Sequence, residues 1–279
     1  MEILHSGLLQ RALLEVVILG AACGALGVWL LHLRHAYAAE SLAHAMLPGL
    51  VLASLAGAPL LLGAAGGVLV AAVLIAIAAR DVRVGPEIAV GVTVTTAFGL
   101  GALLALSPDV PARLAELLFG DLLGASTSDL VAAGALAGVV AVALALGHRS
   151  LSAAVFDPVA APSLGVRPQR VELALLALLA VATVAAVQGL GNLLVFALLV
   201  APAAAGMRLG GTLRAQLWLA AGLGAGAGLL GLVASAELDI AAGASVALAS
   251  VALYVVAGLV RPSPAANRAT RSPVEALGA

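Results

Sequence analysis

The chain has 279 residues, of which 63% are hydrophobic and only 10% charged, with a mean hydropathy of +1.18. Soluble domains run at about half apolar and a quarter charged, so this composition excludes a soluble enzyme or binding module and predicts one membrane domain. The net charge of −1 gives no reason to expect nucleic acid as a partner.

A helix needs about 20 apolar residues to cross the hydrocarbon, and blocks of that length recur along the chain. Stretches such as 59–79 and 131–147 are continuously apolar, which excludes the alternating pattern of a transmembrane β-barrel. The predicted fold is therefore an all-α, polytopic transmembrane helical bundle. Its first span, 8–31, is longer than the apolar core of a signal peptide and reads as a retained helix. It carries Glu15, which the spacing pairs with Arg11 one turn earlier, and the single cysteine, Cys23, read as packing. The second span, 37–57, contains Glu40, His44 and then Pro48-Gly49, and spans 59–79 and 86–106 follow. In segment 107–129, Pro108 and Pro111 precede an apolar stretch, Leu114 to Leu123, suited to a short interfacial or re-entrant helix.

Span 130–147 leads into segment 148–170, whose Pro158, Pro162 and Pro168 predict an irregular inner loop. Glu172, beside Arg170, then opens span 171–188 and is read as snorkelling to the inner interface. Only Gln188-Gly189-Leu190-Gly191-Asn192 separates this span from 190–207, so nine spans become eight if the two form one broken helix. Spans 214–234 and 243–260 complete the set. Residues 1–261 thus form one transmembrane domain, and 262–279, with Pro262, Pro264 and Pro273, reads as a disordered cytoplasmic tail.

All thirteen basic residues are arginine, and a nine-span alternation puts eleven on one side and only Arg11 and Arg113 on the other. Cytoplasmic loops carry the excess of positive charge, which predicts an N-terminus outside and a C-terminus inside. A phosphate-cradling Walker loop needs a lysine, so ATP-driven work by this chain requires hydrolysis on another polypeptide. Neither a nucleophile–base constellation nor an H-E-x-x-H motif is present, which argues against an intramembrane enzyme.

Ionisable groups inside spans cost about 2.5–3.5 kcal/mol each on insertion scales and mark function by default. The informative pair is Glu40 and His44, whose i, i+4 spacing places carboxylate and imidazole on one helix face. One hard oxygen and one borderline nitrogen suit Zn²⁺, Mn²⁺ or Fe²⁺. Two ligands do not fill a coordination shell, but two copies of the chain facing across an axis supply four. The alternative, a buried Glu–His hydrogen bond tying helices together, fits the spacing equally well. Gln188 and Asn192 either line a path or satisfy loosened backbone, with packing the better reading. Asp121, Glu237 and Asp239 form an acidic outer rim able to attract cations, or are ordinary loop charges. His5, His32, His35 and His148 lie at interfaces or loops and receive no role.

Several stretches resemble the ABC-3 family of metal-transporting permeases. Arg34-His35-Ala36-Tyr37-Ala38-Ala39-Glu40-Ser41-Leu42-Ala43-His44-Ala45 is similar to the family's arginine followed by Asp-x-x-x-His-Ala at the start of the second helix. Further landmarks are Leu118-Phe119-Gly120-Asp121-Leu122-Leu123, Phe156-Asp157-Pro158, Leu164-Gly165-Val166, the Gln188 to Leu194 run, Ala201-Pro202-Ala203-Ala204-Ala205, and Asp239 with Ala242-Gly243-Ala244-Ser245. Two positions depart from the pattern: Glu40 replaces the usual aspartate, and Ala241 and Ala244 stand where prolines are common. The resemblance implies a multi-pass protein of the bacterial plasma (inner) membrane working as a homodimer. It also implies cytoplasmic ATPase subunits and an extracellular metal-binding protein as partners. It implies transported zinc, manganese or iron, with no permanently bound cofactor, and a coupling segment from Arg208 to Arg214 that docks the ATPase. Two rivals are a permease for a metal chelate of siderophore or cobalamin type and an ion-gradient-driven secondary transporter.

Overall fold

In hydrocarbon no water satisfies a free backbone N–H or C=O, so an apolar block closes its hydrogen bonds within itself as a helix. The computed structural model of the protein describes residues 7–35, 41, 44–78, 85–106 and 126–260. Among these described residues nine α-helices form: α1 (Gly7–His32), α2 (Leu47–Leu55), α3 (Leu60–Ala78), α4 (Gly85–Ala105), α5 (Thr127–Phe156), α6 (Pro168–Leu190), α7 (Asn192–Leu209), α8 (Leu213–Leu238) and α9 (Ala242–Val260). Five of them, α1, α5, α6, α8 and α9, are long and apolar enough to cross a membrane. The all-α bundle follows the prediction, and each described helix overlaps a predicted span, α2 covering only Leu47–Leu55 of span 37–57, whose residues 37–40, 42 and 43 lie outside the described residues. The stretch Leu114–Leu123 and the tail 262–279 lie outside the described residues.

One boundary differs. Helix α5 runs on to Phe156, so the first part of the predicted inner loop, 148–156, is helical, and the connection to α6 contains only a short 3-10 turn at Ala161–Leu164. Prolines occur only from Pro158 onward, and nothing in 148–156 breaks a helix. The N-terminus of α5 is fixed by a capping box in which Ser126 and Asp129 satisfy each other's backbone N–H groups.

Helix α1 is the centre of the bundle and runs antiparallel to α8. Gly20 lies against Gly224, Gly24 against the Ala220 carbonyl and Gly228 against Val16, and a Cβ on Gly20, Gly24 or Gly224 would overlap the opposite backbone. Helices in lipid gain little from apolar burial and associate through close van der Waals packing, which small residues permit. Helices α7, α8 and α9 pack on one another, with α1 against α7 and α8. Helix α5 lies against α1, and α6 against α5. Helices α2, α3 and α4 form a second group that meets the rest through α3 and α6.

The two ends of the bundle differ in charge. At one end His32 of α1 donates to Gln216 of α8 (2.8 Å), His35 pairs with Glu172 of α6 (2.7 Å), and Arg208 of α7 lies 4.8 Å from the ring centre of Tyr254 in α9. These contacts gather the C-terminal ends of α1, α7 and α9 with the N-terminal ends of α6 and α8. His32 also meets the Phe156 ring edge-on, which adds the end of α5. Of the seven described arginines, six (Arg34, Arg149, Arg167, Arg170, Arg208 and Arg214) belong to this end, and Arg11 belongs to the other. The chain therefore reverses at Gly191, whose φ of 77° suits glycine, and α6 and α7 are two helices rather than one broken one.

Candidate functional site

The residues leading into α2 form the most unusual stretch of the bundle. His44 and Ala45 are helical, Met46 is a turn, and the helix resumes at Leu47. Pro48 accounts for the interruption: it has no N–H to offer the His44 carbonyl four residues earlier, and its ring crowds that carbonyl. Glycines then draw the neighbours in. Gly49 meets Gly63 of α3 backbone to backbone, Gly67 lies against Ala45 and Met46, and Gly101 of α4 lies against Leu47 and Pro48.

This packing fixes His44. Its ring stands edge-on to Phe98 of α4 at 5.0 Å and 75°, the side chain is half-buried, and its buried Nδ1 has no hydrogen-bond partner among the described residues. A buried polar atom without a partner costs about 1–3 kcal/mol, so an unmatched imidazole nitrogen is a group that a cation would satisfy. Ser41, buried on the turn before, belongs to the same stretch. Glu40 lies outside the described residues, as does Asp121. Among the described residues no three histidine, cysteine or acidic side chains converge.

The remaining site candidates separate. Asp239 caps the C-terminus of α8 in a left-handed conformation (φ 53°) and is exposed, as is Glu237. Both sit at the end of α8 away from the arginine cluster. Arg208 and Arg214 are exposed and bracket the turn between α7 and α8. That turn is held from within. Gln216 Nε2 donates to the Gly210 carbonyl (3.3 Å) while its Oε1 accepts from His32, and the Thr212 hydroxyl caps α8 by accepting from Ala215 N (3.3 Å). The side chains of Gln188 and Asn192 lie outside the described residues.

Three sequence expectations change. Glu15 is buried at 2% exposure, yet it makes no ion pair with the exposed Arg11, and its Oε2 has no hydrogen-bond partner among the described residues. The i, i+4 spacing brings the two side chains to one face, but Arg11 reaches outward while Glu15 faces the bundle. Glu172 is held by His35 instead of only reaching for the interface. His32, His35 and His148, which received no role, each tie α1 to another helix, His148 through an edge-on contact with Trp29 at 5.6 Å. Their partners lie far away in sequence, so no local pattern signals them.

The model of the ABC 3 transport family matches residues 5–261. The chain is 32% identical to the manganese transport system membrane protein MntC of Halalkalibacterium halodurans, covering 94% of this chain and 90% of that one. It is 28% identical to a protein of Haemophilus influenzae named a probable iron transport system membrane protein, over 92% of this chain and 95% of that one. Its fold matches that of a chain in the solved structure of PsaBC from Streptococcus pneumoniae in complex with Fab, with a TM-score of 0.87, 24% identity, and coverage of 97% of this chain and 98% of that one. The nine helices, the freed turn at His44 and these matches lead to one assignment: the chain belongs to the ABC 3 transport family, as a multi-pass membrane permease.

Proposed function

We propose that this permease serves an ATP-driven importer whose cargo is a divalent first-row metal ion, manganese or iron, and that two copies pass the ion between them past Glu40 and His44. The observation that carries the path is the buried Nδ1 of His44, which has no hydrogen-bond partner among the described residues. The names of two relatives carry manganese and iron, and an imidazole with carboxylate and carbonyl oxygens suits both ions. The arginine-bearing end faces the cytoplasm in this reading, by the excess of positive charge on that side. The turn from Arg208 to Arg214 is then the contact with the ATPase subunits, and the acidic end, with Asp239 and Asp121, receives the ion from an extracellular binding protein.

Proteoliposomes holding the permease with its ATPase subunits test the reading directly. Manganese uptake is expected to require ATP inside the assembly and to be reduced by competing iron. Uptake driven by an ion gradient without the ATPase would overturn it, and so would preference for a metal chelate over the free ion.

A further inference from the structure

We infer that the groove between α5 and α6 binds one acyl chain of an anionic phospholipid, whose headgroup meets Arg170. The groove has a volume of about 250 Å³, and Leu144, Leu151, Leu175 and Leu178 form its walls. Gly147 and Ala174 leave room between them, and Arg170 lies at one end. From Arg170 to Leu178 the groove follows α6 for about 12 Å at 1.5 Å per residue, close to the depth of one leaflet, about half of the 30 Å hydrocarbon core. The cation thus sits at headgroup level with an apolar slot leading inward, the shape and polarity of a single lipid.

Charge selects among lipids. Arg170 is exposed and makes no ion pair among the described residues, because the nearby carboxylate, Glu172, is taken by His35. Arg149 and Arg167 are exposed on the same end of the bundle. Among the described residues none of these three arginines has an ion-pair partner, so phosphatidylglycerol is favoured over zwitterionic phosphatidylcholine.

The groove can be tested without damaging the helices. A Cβ on Gly147 meets only the Leu151 side chain, at 3.4 Å, so Gly147→Leu fills the slot without touching backbone. Full-length protein is extracted from nanodiscs of equal parts phosphatidylglycerol and phosphatidylcholine, and the retained lipid is counted by native mass spectrometry. Arg170→Gln is expected to lower retained phosphatidylglycerol about five-fold, the equivalent of about 1 kcal/mol for one basic residue, and to leave phosphatidylcholine unchanged. Gly147→Leu is expected to lower both. Wild-type retention in both variants overturns the proposal. Loss in Gly147→Leu alone overturns its headgroup part, and burial of the groove against a second copy, seen as a Gly147→Cys disulfide dimer, overturns its occupant.

Discussion

At His44 one side chain collects several unusual features: half-burial, an aromatic edge contact with Phe98, an unpartnered Nδ1 and a helix broken on its C-terminal side by Pro48. A purely structural histidine at this position would leave an unsatisfied nitrogen with no compensation. Glu15 shows the same deficit in a different setting, since its buried Oε2 has no partner and no arginine reaches it. An unpaired buried carboxylate is costly, so Glu15→Gln is expected to raise the melting temperature of the detergent-solubilised protein. A fall by several degrees would reveal a partner for the carboxylate. The chemistry at 40–48 was legible from spacing, because i, i+4 and a proline are local signals. The edge contact of Phe98 was not, because it joins the stretch before α2 to α4 across the fold.

Among the helices, the contact between α1 and α8 depends on glycines whose neighbours are backbone atoms. Gly24→Leu drives a side chain into the Ala220 carbonyl, whereas Gly226, on the same helix as Ala220, has nothing within 4 Å of its Cβ position. Gly24→Leu is expected to cost about 3 kcal/mol or more and to remove the monodisperse peak in size-exclusion chromatography, while Gly226→Leu leaves it intact. Equal behaviour of the two would contradict the packing. With 32 glycines in the chain, the sequence does not distinguish contact glycines from open ones. Helix existence was legible throughout, since apolar length alone demands it. The extension of α5 to Phe156 has one local signal, the absence of a proline before Pro158. The link from His32 through Gln216 to Gly210 joins α1 to the turn proposed to meet the ATPase. His32→Ala and Gln216→Ala are each expected to lower metal moved per ATP hydrolysed, with the double variant no worse than either single one. Additive losses would separate the two residues.

For the whole molecule, the six arginines gathered at one end turn a statistical expectation about loops into a statement about one surface. Which compartment that surface faces is open to chemical labelling. In a Cys23→Ala background, Asp239→Cys is expected to react with a membrane-impermeant maleimide on intact cells and Arg214→Cys only after permeabilisation; the reverse pattern would invert the assigned topology. The most direct test of the account is manganese uptake by the assembled transporter carrying His44→Ala, with ATPase activity measured on the same vesicles. The account predicts that uptake falls at least about ten-fold, as expected for disrupting a metal site, while the ATPase subunits remain bound and active. Wild-type uptake by a correctly inserted His44→Ala protein would contradict it.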